Sequence, residues 1–448
     1  MKRYLNKLGL AAMLAGTFLT ACEPEIEAPA ANAGEADFSR FIALGNSLTA
    51  GMTNGALYRE GQLNSYPNIL AQQLQLVGGG EFTQPLIEAN SVGIGSGGNA
   101  RFALTVKADC RGTSSLMPVP VAQFGDVGIF LDQSRWVRTQ GPFNNLGVPG
   151  AKSFHLIAPN YGDPAGTVAT PRTANPFFMR FASDNSTTIL RDALPPVAPK
   201  PTFFSLWIGN QDALAYALEG GTADQLTPQN IFEFAVDNVV TALVAQGAKG
   251  VVANIPDVTS IPFFTTVPYN GLTLDTTQAA QLTAAYGNQI KFRTGANPFI
   301  INEDGTTRPI KANELVLLDV PQDSIKCAGW GSVKPIPDRY VLSETEITDI
   351  RNATAGYNEK LRRIANENGL AFADANAYLK QIDQGLLQNA TIYSSEFVSG
   401  GVFSLDGIHL SPKGNAIMAN LVIRAINERY NARIPAADLN QYSGNLFP

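Results

Sequence analysis

The sequence predicts an α/β fold built on a five-stranded parallel sheet with helices on both faces. Three observations carry this expectation. Short strand-like runs fall near Ile42, Phe204, Val252 and Phe372, and a strand end with two glycines falls near Asn145. Segments with apolar residues at 3- and 4-residue steps lie between them, and strands alternating with helices read as a parallel sheet with right-handed crossovers. Long stretches rich in Gly and Pro interrupt the alternation without erasing it, near 78–140, 159–201 and 262–337. These read as loop insertions in one domain over 38–432, with a C-terminal tail at 433–448. No internal repeat is visible.

The first strand is the run Phe41-Ile42-Ala43-Leu44, ended by Gly45-Asn46 and followed at once by Ser47. A continuously apolar run suits a strand buried on both faces. A serine at its carboxyl end stands where open α/β sheets bind ligands. The plain alternative is a turn with Ser47 as a helix N-cap. Ser65-Tyr66-Pro67 opens an amphipathic helix with Ile69, Leu70 and Leu74 on one side,. The second strand end, Asn145-Leu146-Gly147-Val148-Pro149-Gly150, carries a glycine turn whose backbone N–H groups could face a developing negative charge,. Phe203-Phe204-Ser205-Leu206-Trp207-Ile208 is the third strand, and Gly209-Asn210-Gln211-Asp212 places carboxamides at its end.

Thr227-Pro228 opens a helix whose apolar positions are read as Ile231, Phe234, Ala235, Val239 and Leu243, and the run from Gly250 to Ile255 is the fourth strand. Ser343-Glu344-Thr345-Glu346 is a capping box. It opens a helix with Ile347, Ile350, Thr354, Tyr357, Leu361 and Ile364 on one face, stopped at Gly369,. Leu370 to Ala373 is the last strand, and Ser411-Pro412 starts a final helix running to about Tyr430.

Composition narrows the function classes. The chain has 448 residues, 45% hydrophobic and 16% charged, with a net charge of −6 and no basic run beyond the first residues. That argues against a nucleic-acid partner, which needs a basic surface. Lys2, Arg3 and Lys7 precede an apolar stretch, Leu8 to Leu19, too short to span a bilayer,. It reads as a signal peptide over 1–21. Residues 22–37 are acidic and rich in Ala and Pro, and are expected to form a tether that does not pack,. In an exported protein Cys110 and Cys327 could be bonded or could be two buried thiols,. With only His155 and His409 available, no zinc site is expected,.

Asp406-Gly407-Ile408-His409 is the most informative stretch. A nucleophilic serine needs a base and a group that orients the base. Histidine suits that role because its unperturbed pKa is ~6.5. His409 has an aspartate three residues earlier, whereas His155 sits in Phe154-His155-Leu156 and reads as a half-buried structural residue.

Taken in order, Gly45-Asn46-Ser47-Leu48, Asn145 to Gly150, Gly209 to Asp212 and Asp406 to His409 resemble the four blocks of the GDSL/SGNH hydrolase family. Asn46 stands where the family has Asp, and Gln211 where it has Asn. The resemblance covers about 37–430 and implies a three-layer α/β/α, flavodoxin-like SGNH hydrolase fold and hydrolysis of carboxylic esters. It implies Ser47 as nucleophile, His409 as general base and then acid, and Asp406 as the group orienting His409. The oxyanion donors it implies are the backbone N–H groups of Ser47 and Gly150 and the side chain of Gln211, with Asn210 as the substitute. No metal or cofactor is required. Glutamine is one methylene longer than asparagine, which moves the amide by roughly 1.5 Å.

Leu19-Thr20-Ala21-Cys22 resembles a bacterial lipobox, which implies acylation of Cys22 and anchoring of the body in the cell envelope, at the outer membrane. The expected partners are a small-molecule, lipid or acylated-glycan ester and the membrane through Cys22; the oligomeric state is left open. A catalytically weak or inactive surface lipoprotein that binds glycan or lipid on the same fold is the alternative reading, and Gln211 is the residue that favours it. A flavodoxin-like nucleotide binder is disfavoured, because no Gly-x-Gly-x-x-Gly or Walker-type loop follows a strand,.

Overall fold

Five short runs pair into one parallel sheet in the computed structural model: β1 (Phe41–Gly45), β2 (Asn145–Gly147), β3 (Phe203–Trp207), β4 (Lys249–Ala253) and β5 (Ala371–Ala373). The strand order is β5-β4-β3-β1-β2. Read from the other edge this is 2-1-3-4-5, the flavodoxin-like order whose switch point lies between the first and third strands. β1 is an interior strand, paired on both sides, with Ala43 opposite both Asn145 and Ser205. The structure describes residues 30–95, 98–126, 138–167, 169, 173–196, 199–303, 305–388 and 390–447. The expected signal peptide, Cys22 and the start of the tether lie outside the described residues.

The helices that concern the site are α1 (Ser47–Ala50), α2 (Tyr66–Gln75), α3 (Asn210–Leu218), α4 (Gln229–Val244), α5 (Glu344–Glu367), α6 (Ala375–Asp383) and α7 (Pro412–Tyr430). Strand side chains alternate between faces, and β3 shows it. Phe203 packs edge-on against Tyr430 of α7, with ring centroids 5.7 Å apart. Trp207, on the same face, meets Tyr66 of α2 at 5.3 Å. On the opposite layer Phe232 of α4 stacks on Tyr357 of α5 at 4.3 Å. The result is helix, sheet, helix.

The capping box at Ser343 forms in both directions, with Glu346 accepting the Ser343 N–H at 2.7 Å and the Ser343 hydroxyl accepting the Glu346 N–H at 3.4 Å. The predicted apolar face of this helix is the buried one. For α4 the expectation needs correction. Ile231 and Phe234 are exposed, and the buried face is Phe232, Ala235, Val236, Val239, Val240 and Leu243. The helix carries apolar residues on two adjacent stripes, and Tyr357 selects the one that includes Phe232.

The tether also needs correction at its end. Gly34 lies against the Tyr430 carbonyl, the Glu35 N–H donates to that carbonyl at 2.8 Å, and Ala36 is buried. The segment from residue 32 onward is therefore part of the body. The residues of the tail at 433–448 bury Ile434, Ala437 and Leu439 along α7.

Among the described residues the first and third insertions carry small structures of their own. Phe102–Ala108 and Ser114–Pro120 form a hairpin in the first. The third holds a hairpin of Ile300–Glu303 and Thr306–Pro309, an antiparallel pair of Leu272–Leu274 and Gly295–Asn297 with the helix Thr276–Ala285 between them, the helix Gln322–Cys327, and a separate apolar cluster around Phe299, Ile301 and Ile336. Cys110, at the hairpin tip, is bonded to Cys327 across 217 residues of sequence. Lys326 pairs with Asp109 beside the bridge at 3.2 Å.

Candidate active site

Ser47 is the first residue of α1, at the carboxyl end of β1, and the neighbouring Asn46 is the cap. The Asn46 side chain accepts the Leu48 N–H at 3.1 Å. Asparagine caps a helix as well as aspartate does, so the change at position 46 keeps the turn. Gly45 is required here, because a Cβ would lie 2.1 Å from Thr49 Oγ1 and 2.4 Å from the Trp207 carbonyl oxygen. The glycine lets α1 sit directly on the strand ends.

His409 comes from the loop before α7. Its Nδ1 lies 2.6 Å from Asp406 Oδ2, which leaves Nε2 to exchange a proton. Asp406 is buried and surrounded by donors. It accepts the N–H groups of Ile408 and His409 at 2.9 Å each, the Gly55 N–H at 2.7 Å and the Ser404 hydroxyl at 3.0 Å. Burial alone raises its pKa; the charge of His409 and these donors outweigh that and hold it well below the usual carboxylate range,. Asp406 therefore stays ionised and fixes the ring with Nδ1 as the protonated nitrogen.

Ser47 and His409 line one cavity, together with Asn46, Asn210 and Gln211. Asn210 is buried, and its Oδ1 has no hydrogen-bond partner. Gln211 is half-buried on the same wall. Both carboxamides sit at the start of α3, where Gly209 has φ 107° and no room for a Cβ against Ile255 and Phe232. Helix N-termini favour negative charge.

Gly150 is exposed, with φ 77°, and is not among the residues lining that cavity. Two anchors nonetheless fix its loop. Asn175 donates through Nδ2 to the Pro149 carbonyl at 2.8 Å. Because the peptide is planar and trans, this sets the direction of the Gly150 N–H, which points the opposite way. Asp212 accepts the Ser153 N–H at 2.9 Å and the Ser153 hydroxyl at 2.7 Å, tying the same loop to α3. Asn175 is a positioning residue that sequence reading missed; nothing local to Asn175-Pro176-Phe177-Phe178 announces a bond to residue 149.

His155 is not part of the cavity. Its Nδ1 accepts the Lys152 N–H at 3.0 Å, and its ring stacks on Tyr161 with centroids 4.3 Å apart. Burial, and after it the Lys152 charge, pushes its pKa down to about 4. Burial pushes Asp212 up to about 6. The two act oppositely on stability. The neutral His155 ring contributes stability that is present above pH 6.5 and lost as pH falls toward 4, whereas Asp212 gains stability over the same fall. Each effect is roughly 3 kcal/mol. We expect His155→Phe to gain roughly 3 kcal/mol relative to the parent between pH 6.5 and 4, read from urea unfolding at both pH values. A difference that does not change with pH would contradict the burial assignment.

Among the described residues no group of His, Cys, Asp or Glu is placed to hold a metal ion, and no helix is long and apolar enough to cross a membrane.

The family model of GDSL-like lipases and acylhydrolases matches residues 41–422, a span that begins at β1 and ends within α7. The chain belongs to the GDSL-like lipase/acylhydrolase family. Family membership supports hydrolase activity. No curated protein matches the chain. Among solved structures it is similar to LAE5, an alpha/beta hydrolase enzyme from the metagenome of Lake Arreo, with 11% identity, a TM-score of 0.35, and coverage of 88% of this chain and 96% of that one. An extracellular lipase from Streptomyces rimosus is similar at 12% identity and a TM-score of 0.35, over 86% of this chain and 98% of the other.

Proposed function

We propose that this hydrolase is a serine ester hydrolase that works through an acyl-enzyme on Ser47. One observation carries the reading: Ser47 and His409 face the same cavity while Asp406 holds the far nitrogen of His409 at 2.6 Å. In the first step Ser47 Oγ forms a bond to the ester carbonyl carbon as His409 Nε2 takes the hydroxyl proton. The carbonyl oxygen becomes an oxyanion. Its collapse breaks the bond to the alcohol, and His409 returns the proton to the leaving oxygen. Water then repeats the sequence on the acyl-enzyme, releasing the acid and restoring Ser47.

The oxyanion donors are the Ser47 and Gly150 N–H groups and a carboxamide at the start of α3. Gln211 occupies the family's amide position, and Asn210 is the more buried of the two. Removing one such donor costs about 2.7–4 kcal/mol of transition-state stabilisation. We also propose that the protein is a lipoprotein of the bacterial cell envelope, held at the outer membrane by acyl chains on Cys22. The support is the Leu19-Thr20-Ala21-Cys22 sequence after a basic and apolar leader, since multiple acyl chains give stable anchoring.

A second reading, an inactive surface protein that binds glycan or lipid, draws on the glutamine at position 211. A fluorophosphonate probe separates them. The hydrolase reading predicts covalent labelling of the parent and none of Ser47→Ala. An unlabelled parent that turns over no ester supports the inactive reading instead.

A further inference from the structure

The cavity beside Ser47 is unlike a site for a small acetyl group. None of its lining residues is Asp, Glu, Lys or Arg. Beyond the polar cluster at Ser47 its walls are apolar, and they come from separate parts of the chain: Leu214 of α3, Val258 after β4, Leu379 and Ile382 of α6, Phe403 before His409, and Met418 of α7. All six are buried and belong to the main core. Protein interiors are packed so closely that voids larger than a water are few. An apolar recess that reaches into the core and opens at the nucleophile is therefore built to be filled.

We infer that this recess receives the acyl chain of the substrate, and that the preferred esters are those of medium-chain fatty acids rather than acetylated glycans. This rests on the ester-hydrolase reading above and deepens it. The length follows from α6. Ala375, Leu379 and Ile382 line the recess at steps of four and three residues, so they share one side of the helix,. Seven residues of helix cover about 10 Å. An extended alkyl chain advances ~1.25 Å per carbon, from a C–C bond of ~1.5 Å at a tetrahedral angle. A chain laid along this side of α6 would span that length with about eight carbons. A sugar in the same recess would leave its hydroxyl groups without partners, which is costly in an apolar site. Its acetyl group alone would leave most of the recess empty.

Turnover of p-nitrophenyl acetate, butyrate, octanoate, decanoate, dodecanoate and palmitate tests the inference. Full burial gives roughly a fourfold gain per methylene. We expect kcat/KM to rise by about a hundredfold or more from acetate to an optimum near octanoate or decanoate, and to fall again at palmitate. Leu379→Trp fills the middle of the recess and should lower the octanoate-to-acetate ratio of kcat/KM at least tenfold. Calorimetry supplies a readout without catalysis. Decanoate should bind Ser47→Ala with a negative heat-capacity change, and that binding should disappear in Ser47→Ala with Leu379→Trp. If the fluorophosphonate labels Ser47 but acetate or acetylated xylan is preferred over octanoate, the hydrolase reading stands and this inference is overturned. If no labelling occurs but decanoate binds in the Leu379-sensitive manner, the acyl recess stands and the hydrolase reading falls. If decanoate does not bind and the chain-length profile is flat, the recess does not hold an acyl chain.

Discussion

Ser47→Ala lowers kcat/KM for p-nitrophenyl octanoate by about 10⁴–10⁶-fold while the unfolding midpoint stays close to that of the parent. The expected loss is that of a nucleophile whose partners cannot act alone. The expected retention of fold follows from the local geometry. The cap of α1 is made by Asn46, and the Gly51 and Met52 N–H groups bond to the Ser47 backbone carbonyl, not to its hydroxyl. Removing one oxygen from a cavity wall leaves these contacts in place. Turnover that survives in Ser47→Ala would move the chemistry to another residue.

The second large effect belongs to Asp406. Asp406→Asn should reduce kcat by about 10³–10⁴-fold, because the amide cannot hold His409 in the tautomer that leaves Nε2 able to accept a proton. It should also destabilise the protein, unlike the serine change. The buried carboxylate accepts from His409 Nδ1, three backbone N–H groups and one hydroxyl. A carboxamide offers only one oxygen to these donors and turns an NH₂ toward some of them. Leaving one or two buried donors unpaired costs roughly 2–4 kcal/mol. Assays well below the variant's unfolding midpoint separate the two losses. If kcat recovers fully there, Asp406 is structural only.

The parts of this protein that sequence reading identifies are those in which local chemistry decides the outcome. Strands β1, β3, β4 and β5 are short runs with apolar centres, ended by a polar residue, Gly or Pro, whereas β2, Asn145-Leu146-Gly147, is readable only through the glycine turn that follows it. The helix Glu344–Glu367 is readable because its capping box and its single apolar stripe agree. On α4 two stripes compete, and a residue more than a hundred positions away, Tyr357, decides between Phe232 and Phe234. Helices α3 and α6 escape notice because each is nine residues long and follows a strand at once. His409 stands out because the chain has only two histidines and this one follows Asp406 by three residues, and Ser47 because it stands at the end of the first apolar strand. The hold of Asn175 on Pro149 and the acyl recess do not stand out, since both are made by folding distant segments together. The recess in particular draws one or two side chains from each of several elements, and none of these looks unusual in its own segment.

The most direct test of the account is to quench the enzyme within milliseconds of mixing with p-nitrophenyl octanoate and to map the acyl group by peptide mass spectrometry. The account predicts one octanoyl group on the peptide containing Ser47, formed in the parent and absent in Ser47→Ala. Steady hydrolysis of the ester with no acyl group on that peptide would contradict it.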